Sequence, residues 1–321
     1  MRRREFITLL GGAAVAWPLA APAQQPERLR KVGVLVLGNA YDQSFGTELR
    51  EGLRSSGYVE GQNIEYVFRS ADGNTALLPQ LAAELVALNV DVITAVFTPA
   101  SLAAQRATRE IPIVTVSGDP VALGLVASLA RPGGNITGMS LIAAELLGKC
   151  VELFRDALPG IRTVAALGNA SDPFSKPFFD EVRSVGKATG IKTPEVMVSA
   201  TDEIDSALAS MKKDGAEAVV VQGTLASQHV ANLMLNHRLP AASFGRSFVE
   251  VGGLMSYGSN VADVFRHSAG FVVKILQGRR PEDLPVERPT KFELVINLKT
   301  AKALGLKIAE SFLLRANEVI E

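Results

Sequence analysis

The sequence predicts an α/β protein made of two doubly wound lobes. From residue 31 onward, short apolar runs alternate with longer helical patterns. Such alternation with short connections is typical of a parallel sheet covered by helices on both faces. The alternation stops at the turn cluster 131–135 (Arg-Pro-Gly-Gly-Asn) and then starts again. A chain of 321 residues is long enough for two such units.

The first unit begins with a continuous apolar run at 32–37, as expected for a parallel strand buried on both faces. Helix 45–56 follows, and Gly57 ends it. The remaining predicted elements of this unit are strand 64–68, helix 77–88, strand 92–97, helix 100–109, strand 113–116 and a short helix at 122–129.

The second unit repeats this construction after the turn cluster. Its predicted elements are helix 141–158, strand 163–167, helix 175–189, strand 195–198, helix 203–213, strand 218–222, helix 226–238 and strand 241–244. A tail adds strand 254–257, helix 261–277, strand 292–296 and helix 298–304. Two similar units followed by a tail indicate that the chain crosses between the lobes more than once.

The first 23 residues have the features of an export signal. The pair Arg3-Arg4, followed by Glu5 and two apolar residues, fits the twin-arginine type of signal. The apolar stretch 7–19 is too short, and too rich in Gly and Ala, to be a good membrane span. Ala21-Pro22-Ala23 is a small-x-small cleavage site without a cysteine for a lipid. We therefore expect cleavage after about Ala23 and a free periplasmic protein.

Composition and motifs argue against several other classes of protein. Lys+Arg and Asp+Glu both number 33, and no basic segment indicates a nucleic-acid partner. Cys150 is the single cysteine and lies in an apolar helical pattern, so we expect it in the core. His229 and His237 are two helical turns apart and cannot bind one metal ion. Nucleotide-binding and nucleophile motifs are absent from the sequence, so neither a cofactor nor an enzymatic activity is expected.

Polar and aromatic residues follow the predicted strands, where open α/β sheets bind ligands. Thr98 and Ser101 stand at a helix start, which favours a carboxylate, and Asp119 could bind an ammonium group. Because such residues are also ordinary helix caps, the prediction depends on the whole set. The candidate ligand-binding residues are Tyr41, Asp42, Phe45, Phe97, Thr98, Ser101, Asp119, Asn169, Ser171, Ser175, Thr224, Ser227 and Tyr257.

Three stretches resemble a family of periplasmic solute-binding proteins of ABC importers. They are 117–138 (beginning Ser-Gly-Asp-Pro), 253–258 (Gly-Leu-Met-Ser-Tyr-Gly) and 285–306 (beginning Pro-Val-Glu-Arg-Pro-Thr). The similar group includes tryptophan- and tyrosine-binding proteins. The resemblance implies a type I periplasmic-binding fold, in which two Rossmann-like lobes are joined by a three-segment hinge and close on a ligand.

The resemblance also implies how the chain is divided. Lobe 1 is expected at 28–139 with about 259–282 returning to it, and lobe 2 at 140–258 with about 283–321 returning. We expect the hinge near 138–140, 244–245 and 282–289.

The expected function is that of the solute-binding component of an ABC importer. It would capture a small carboxylate-bearing solute, an amino acid or aromatic compound, in the interlobe cleft. The expected partners are this ligand and an inner-membrane ABC permease, with no nucleic acid, and the chain is expected to be a monomer. Two alternatives remain: a ligand-sensing receptor for a membrane signalling partner, and, less favoured, an exported enzyme.

Overall fold

The computed structural model describes residues 29–38 and 40–321, without the side chains of 40–43. The predicted export signal at 1–23 lies outside the described residues. Two separate sheets organise the described chain, one of five strands and one of seven. The expected fold class, two doubly wound α/β lobes, is therefore confirmed.

Lobe 1 is built on a parallel sheet with the strand order β2-β1-β3-β4-β5. Its strands are β1 Arg30–Val36, β2 Ile64–Ser70, β3 Val92–Val96, β4 Ile113–Ser117 and β5 Ile136–Ser140. The first three helices are α1 Ala40–Ser55, α2 Leu78–Ala87 and α3 Phe97–Ala107. Every residue of β3, β4 and β5 is buried, as expected for strands covered on both faces.

Lobe 2 contains the seven-stranded sheet, with the order β12-β11-β10-β9-β8-β6-β7. Its strands are β6 Val164–Asn169, β7 Glu195–Val198, β8 Ala218–Val221, β9 Ala241–Ser243, β10 Met255–Ser259, β11 Phe292–Asn297 and β12 Glu318–Ile320. The remaining helices, in chain order, are α4 Ala143–Ala157, α5 Ser175–Thr189, α6 Ile204–Lys213, α7 Gln228–Asn236, α8 Arg246–Glu250, α9 Val261–Leu276, α10 Leu298–Ala303 and α11 Glu310–Leu313. Only the β10–β11 pair is antiparallel among these described strands.

The chain crosses between the lobes in three places. The first crossing joins β5 to α4, and the second joins β10 to α9, which returns to lobe 1 and packs Phe265 edge-to-face on Phe45 of α1. The third follows Glu287, whose N–H donates to Gly138 O and whose carbonyl accepts from Ser140 N. The expected hinge at 244–245 is wrong, because this segment connects β9 and β10 within one sheet.

Two other local expectations also fail. The helix expected at 122–129 is a series of turns, because Gly124 has a φ of +67° and interrupts the helical backbone. Strand β5 was not predicted. It contains Gly138 at a φ of +134°, where an added Cβ would lie 2.1 Å from Thr115 O. A close backbone approach therefore accounts for a glycine in the middle of this strand.

Cys150 lies in the core, as its sequence pattern predicts. It is fully buried in α4, and its Sγ is 3.8 Å from Ser243 O. Burial raises the pKa of this thiol to about 12, so it is not a reactive thiolate at neutral pH.

Candidate ligand-binding cleft

The carboxyl ends of the strands of both lobes face each other across a narrow cleft. Its walls are formed by Phe97, Thr98, Gly118, Leu141, Ala143, Asp172, Phe174, Gln222, Gly223, Thr224 and Phe244. The space between these walls is about 20 Å³, which is room for about one water molecule. The two lobes are therefore closed on each other, and a solute can enter only after they separate.

On the lobe 1 side, α3 begins directly after β3 at the edge of the cleft. Phe97, its first residue, has a φ of +65°, a conformation that is strained for an aromatic residue. No side chain caps this helix start. Thr98 is in the first turn, so its N–H has no intrahelical acceptor, and it also carries a hydroxyl. Pro99, the next residue, has no N–H. Thr98 is only 2% exposed, and the described residues offer its hydroxyl no hydrogen bond.

A second hydroxyl of lobe 1 also lacks a partner. Ser117, the last residue of β4, is fully buried, and its Oγ has no hydrogen-bond partner among the described residues. Thr115 lies two positions earlier on the same face of the strand, and its hydroxyl is 2.5 Å from that of Ser101 in α3. Ser117 therefore lies on the α3 side of the sheet, next to the start of that helix. Ser117 was not among the ligand-binding residues predicted from the sequence.

Two glycines in the cleft allow aromatic rings to approach the backbone closely. A Cβ added at Gly118 would lie 2.6 Å from a ring carbon of Phe174, and one at Gly223 would lie 2.2 Å from the ring of Phe244. Phe174 belongs to lobe 2 and Gly118 to lobe 1, so their contact joins the two lobes. Phe174 is only 4% exposed, so the closed cleft encloses it almost completely.

On the lobe 2 side, a buried carboxylate lies at the centre of a hydrogen-bond network. Asp172 Oδ2 accepts from Gln222 Nε2 at 2.7 Å and from Thr224 Oγ1 at 3.2 Å, and Oδ1 accepts from Phe174 N at 3.0 Å. Burial raises the pKa of Asp172 to about 6, against an ordinary value of 3.8, although these three hydrogen bonds act in the opposite direction. Neither Asp172 nor Gln222 was among the ligand-binding residues predicted from the sequence.

The same network fixes two of the predicted residues. Ser175 Oγ lies 2.6 Å from Asn169 O and 2.7 Å from Gln222 Oε1, and Asn169 N donates to Gln222 Oε1 at 2.8 Å. The loop after β6 and the loop after β8 are thereby joined before any ligand arrives. Asn169 Oδ1 additionally accepts from the exposed Ser171.

The other predicted residues lie outside the cleft lining or are occupied by local contacts. Asp119 is half-buried, and its Oδ1 accepts from Val121 N and Ala122 N in the turn that follows β4. Ser101 hydrogen-bonds within lobe 1, to Phe97 O and Thr115. Ser227 caps α7 by accepting from Val230 N.

Of the predicted aromatic residues whose side chains the structure describes, only Phe97 lines the cleft. Phe45 is in the lobe 1 core against Phe265, and Tyr257 stacks on Phe292 with the ring centres 6.2 Å apart. The side chains of Tyr41 and Asp42 lie outside the described part of the structure.

Neither a membrane span nor a metal centre is found in residues 29–38 and 40–321. No helix there is both long and apolar enough to cross a bilayer. No group of three or more His, Cys, Asp or Glu side chains there is arranged to hold a metal ion.

Comparison with known proteins identifies the family. Residues 31–320 match the family model described as ABC transporter substrate binding protein. The chain belongs to this family. Its members are substrate-binding proteins rather than enzymes, and the fold is that of a type I periplasmic binding protein.

Individual relatives carry aromatic ligands in their names. This chain is 28% identical over 261 residues to the tyrosine-binding protein of Clostridioides difficile (strain R20291), covering 80% of this chain and 75% of the relative. A solved ABC domain from Streptococcus pneumonia in complex with L-Trp is 29% identical, with a TM-score of 0.84, covering 91% of this chain and all of that one.

A third relative superposes less closely on this chain. The ligand-free, open structure of a substrate binding protein from Clostridium difficile is 26% identical and covers 91% of this chain and 99% of the other, but its TM-score is 0.65. The open structure and the L-Trp complex match the same share of this chain, and their sequence identities to it are nearly the same. This chain therefore superposes better on the L-Trp complex than on the ligand-free, open structure.

Proposed function

We propose that this chain is the exported solute-binding component of an ABC importer and that it captures an aromatic amino acid between its lobes. One observation carries the proposal: unpaired polar groups of Thr98 on one wall face a buried carboxylate, Asp172, on the other. An α-amino acid has a carboxylate and an ammonium group that match this pair. Binding alone, without chemical change of the solute, is the proposed activity.

The carboxylate of the solute would bind at the start of α3. Thr98 offers an N–H and a hydroxyl there, and the positive end of the helix dipole favours an anion. Ser117 supplies a further buried hydroxyl beside this position. This part of the proposal keeps Thr98 from the sequence analysis and adds Ser117.

The ammonium group would bind Asp172 rather than Asp119. Asp172 lines the cleft and is 3% exposed, whereas Asp119 is absent from the lining and accepts from its own turn. A bound cation would stabilise the charged form of Asp172, which burial alone disfavours. Gln222 and Thr224 hold this carboxylate in position and would not need to move.

The apolar body of the solute would pack among Phe97, Phe174 and Phe244. These rings already line the cleft, and aromatic pairs prefer offset or edge-to-face contacts that such a cluster can provide. Tyrosine and tryptophan in the names of two relatives support this ligand class. Because the closed cleft has room for only about one water molecule, entry requires separation of the lobes.

Import would follow from the difference between the open and closed forms. A solute that contacts both walls binds the closed form better and therefore shifts the population towards it. A membrane permease that recognises the closed form then receives loaded protein in preference to empty protein. The predicted export signal would place this encounter at the periplasmic side of the inner membrane.

A thermal-unfolding screen tests the proposal. The mature chain is heated with L-tryptophan, L-tyrosine, 4-hydroxybenzoate, a pentose or Zn²⁺, with D-tryptophan as the stereochemical control. An aromatic L-amino acid present at a hundred times its Kd stabilises the fold by about 2.7 kcal/mol, which is a shift of several degrees. No shift with either aromatic amino acid, together with a shift by the sugar or the metal, would overturn the proposal.

A further inference from the structure

A second cavity of about 460 Å³ lies at the hinge and shares no lining residue with the cleft. This volume is within the usual range for small-molecule sites. Its walls are formed by Met139, Ser259, Asn260, Asp263, Val264, Arg266, His267, Glu287, Arg288, Pro289, Thr290 and Lys291. We call it the hinge pocket.

All three connections between the lobes contribute to the hinge pocket. Met139 lies in β5 just before the first crossing, and Ser259 and Asn260 form the second crossing between β10 and α9. Residues 287–291 form the third, where Glu287 pairs with Met139 in a parallel bridge. The pocket thus belongs to the hinge as a whole, not to one lobe.

The charges around the hinge pocket leave two cations without partners. Arg266 is paired with Glu48 at 2.6 Å and with Asp263 at 3.0 Å, and His267 lies 2.8 Å from Glu287. Arg288 and Lys291 are exposed and form no ion pair or hydrogen bond within residues 29–38 and 40–321. Because His267 is charged only when protonated, Glu287 keeps its negative charge when the imidazole is neutral. The lining then holds three cations, two of them unpaired, against two carboxylates, so its net charge is positive by one.

A buried hydroxyl lies in the same wall. Ser259 is 5% exposed, and its Oγ has no hydrogen-bond partner among the residues that the structure describes. An unpartnered buried hydroxyl costs about 1–3 kcal/mol, which a ligand acceptor placed here would recover. The buried side chains of Met139 and Val264 give the pocket an apolar part beside these polar groups.

We propose that the hinge pocket binds a small organic anion with more than one carboxylate or phosphate group. Arg288 and Lys291 neutralise its charges, Ser259 donates a hydrogen bond, and the carbon skeleton packs on Met139 and Val264. The site is separate from the proposed cleft ligand and does not depend on that assignment.

Calorimetric titration of the ligand-free protein with citrate, at low ionic strength where exposed charges are least screened, tests the proposal. Citrate should bind one-to-one and saturably. The double variant Arg288→Gln/Lys291→Gln should weaken the affinity at least about tenfold, as expected when two charge-assisted contacts are lost. A parallel titration with glycerol 2-phosphate distinguishes a carboxylate preference from a phosphate preference.

Matched variants exclude simpler explanations. Arg131→Gln/Lys307→Gln removes the same charge at exposed positions away from the pocket and should leave the citrate affinity unchanged. Ser259→Ala should weaken citrate binding without lowering the unfolding temperature, because its hydroxyl has no partner to lose. Absence of saturable heat with both anions, or an equal loss in the two double variants, would overturn the proposal.

Discussion

The two walls of the cleft differ in how their polar groups are satisfied. On the lobe 1 wall, the hydroxyl of Thr98 has no partner among the described residues, and the same holds for the buried hydroxyl of Ser117, which lies behind the lining. On the lobe 2 wall, Asp172 accepts three hydrogen bonds, and Gln222 and Ser175 are bonded to each other. The hydrogen bonds of lobe 2 are therefore made without a solute, whereas the described hydroxyls of lobe 1 keep hydrogen-bonding capacity that a solute can use.

This difference assigns a separate task to each lobe. A preassembled network holds its binding groups in place at no further entropic cost when the solute arrives. An unpartnered buried hydroxyl is unfavourable in the empty closed form, and a solute that pairs with it favours closure. Lobe 2 thus positions the solute, and lobe 1 makes closure depend on it.

The largest expected effect comes from a substitution that keeps the two walls of the cleft apart. Gly118→Ala places a Cβ 2.6 Å from the Phe174 ring, so the lobes can no longer approach as they do here. We expect solute affinity to fall at least about a hundredfold, since misplaced binding groups on the two walls can no longer act together. Calorimetry measures this change.

Two controls accompany the Gly118→Ala variant. Gly270→Ala, in α9, adds a Cβ that meets nothing within 4 Å and should leave affinity unchanged. The double variant Gly118→Ala/Phe174→Ala should regain part of the lost affinity because the clash is removed. Wild-type affinity in Gly118→Ala would show that the closed contact is not used in binding.

The next effect tests which carboxylate binds the ammonium group. Asp172→Asn should weaken amino-acid affinity by about thirty- to a hundredfold, at the lower end of the range for a lost buried charge pair. Asp119→Asn removes an equal charge from the turn after β4 and should change affinity less than about threefold, as for a charge outside the site. Equal losses in the two variants would contradict the assignment to Asp172.

The raised pKa of Asp172 predicts that the free energy of unfolding depends on pH. Its pKa in the folded protein, about 6, lies above the ordinary 3.8, so its contribution to stability is present below about pH 4 and is lost as the pH rises through 6. Between about pH 4 and pH 7 the wild type should lose up to about 3 kcal/mol relative to Asp172→Asn. Denaturant unfolding across this range measures the difference, and parallel curves would contradict it.

The smallest expected effects on stability and affinity come from removing one hydroxyl on each wall. Ser175→Ala removes a hydroxyl with two partners and should lower the free energy of unfolding by about 1 kcal/mol. Thr98→Val removes an unpartnered hydroxyl and should leave stability within about 0.5 kcal/mol while weakening solute affinity about tenfold. Urea unfolding and calorimetry on the same samples report both quantities. A stability loss in Thr98→Val equal to that in Ser175→Ala would remove the distinction.

Much of the fold could be predicted because hydrophobic periodicity is a local property. Helix 175–189 and strand 195–198 were predicted with the bounds that the structure has. Strand β5 and the hinge could not be predicted in the same way. Glycine is needed at position 138 because the backbone of Thr115 on the neighbouring strand leaves no room for a Cβ. The crossing after β10 depends on the packing of α9 against α1.

The cleft was less predictable than the fold. Thr98, Phe97 and Thr224 line it, as their places after strands indicated. Asp172 and Gln222 were missed because their bond joins loops 50 residues apart. Asp119 and Asp172 both follow strands in sequence, and only the tertiary structure distinguishes a turn-capping carboxylate from one buried in the cleft.

One measurement tests the division of tasks most directly. The aromatic amino acid that stabilises the protein is titrated beside its amine analogue without the carboxylate and its acid analogue without the amine. Thr98→Val should weaken binding of the amino acid and the acid but not of the amine, and Asp172→Asn should weaken the amino acid and the amine but not the acid. If each variant weakens all three ligands equally, the two walls do not bind opposite ends of the solute and the account is wrong.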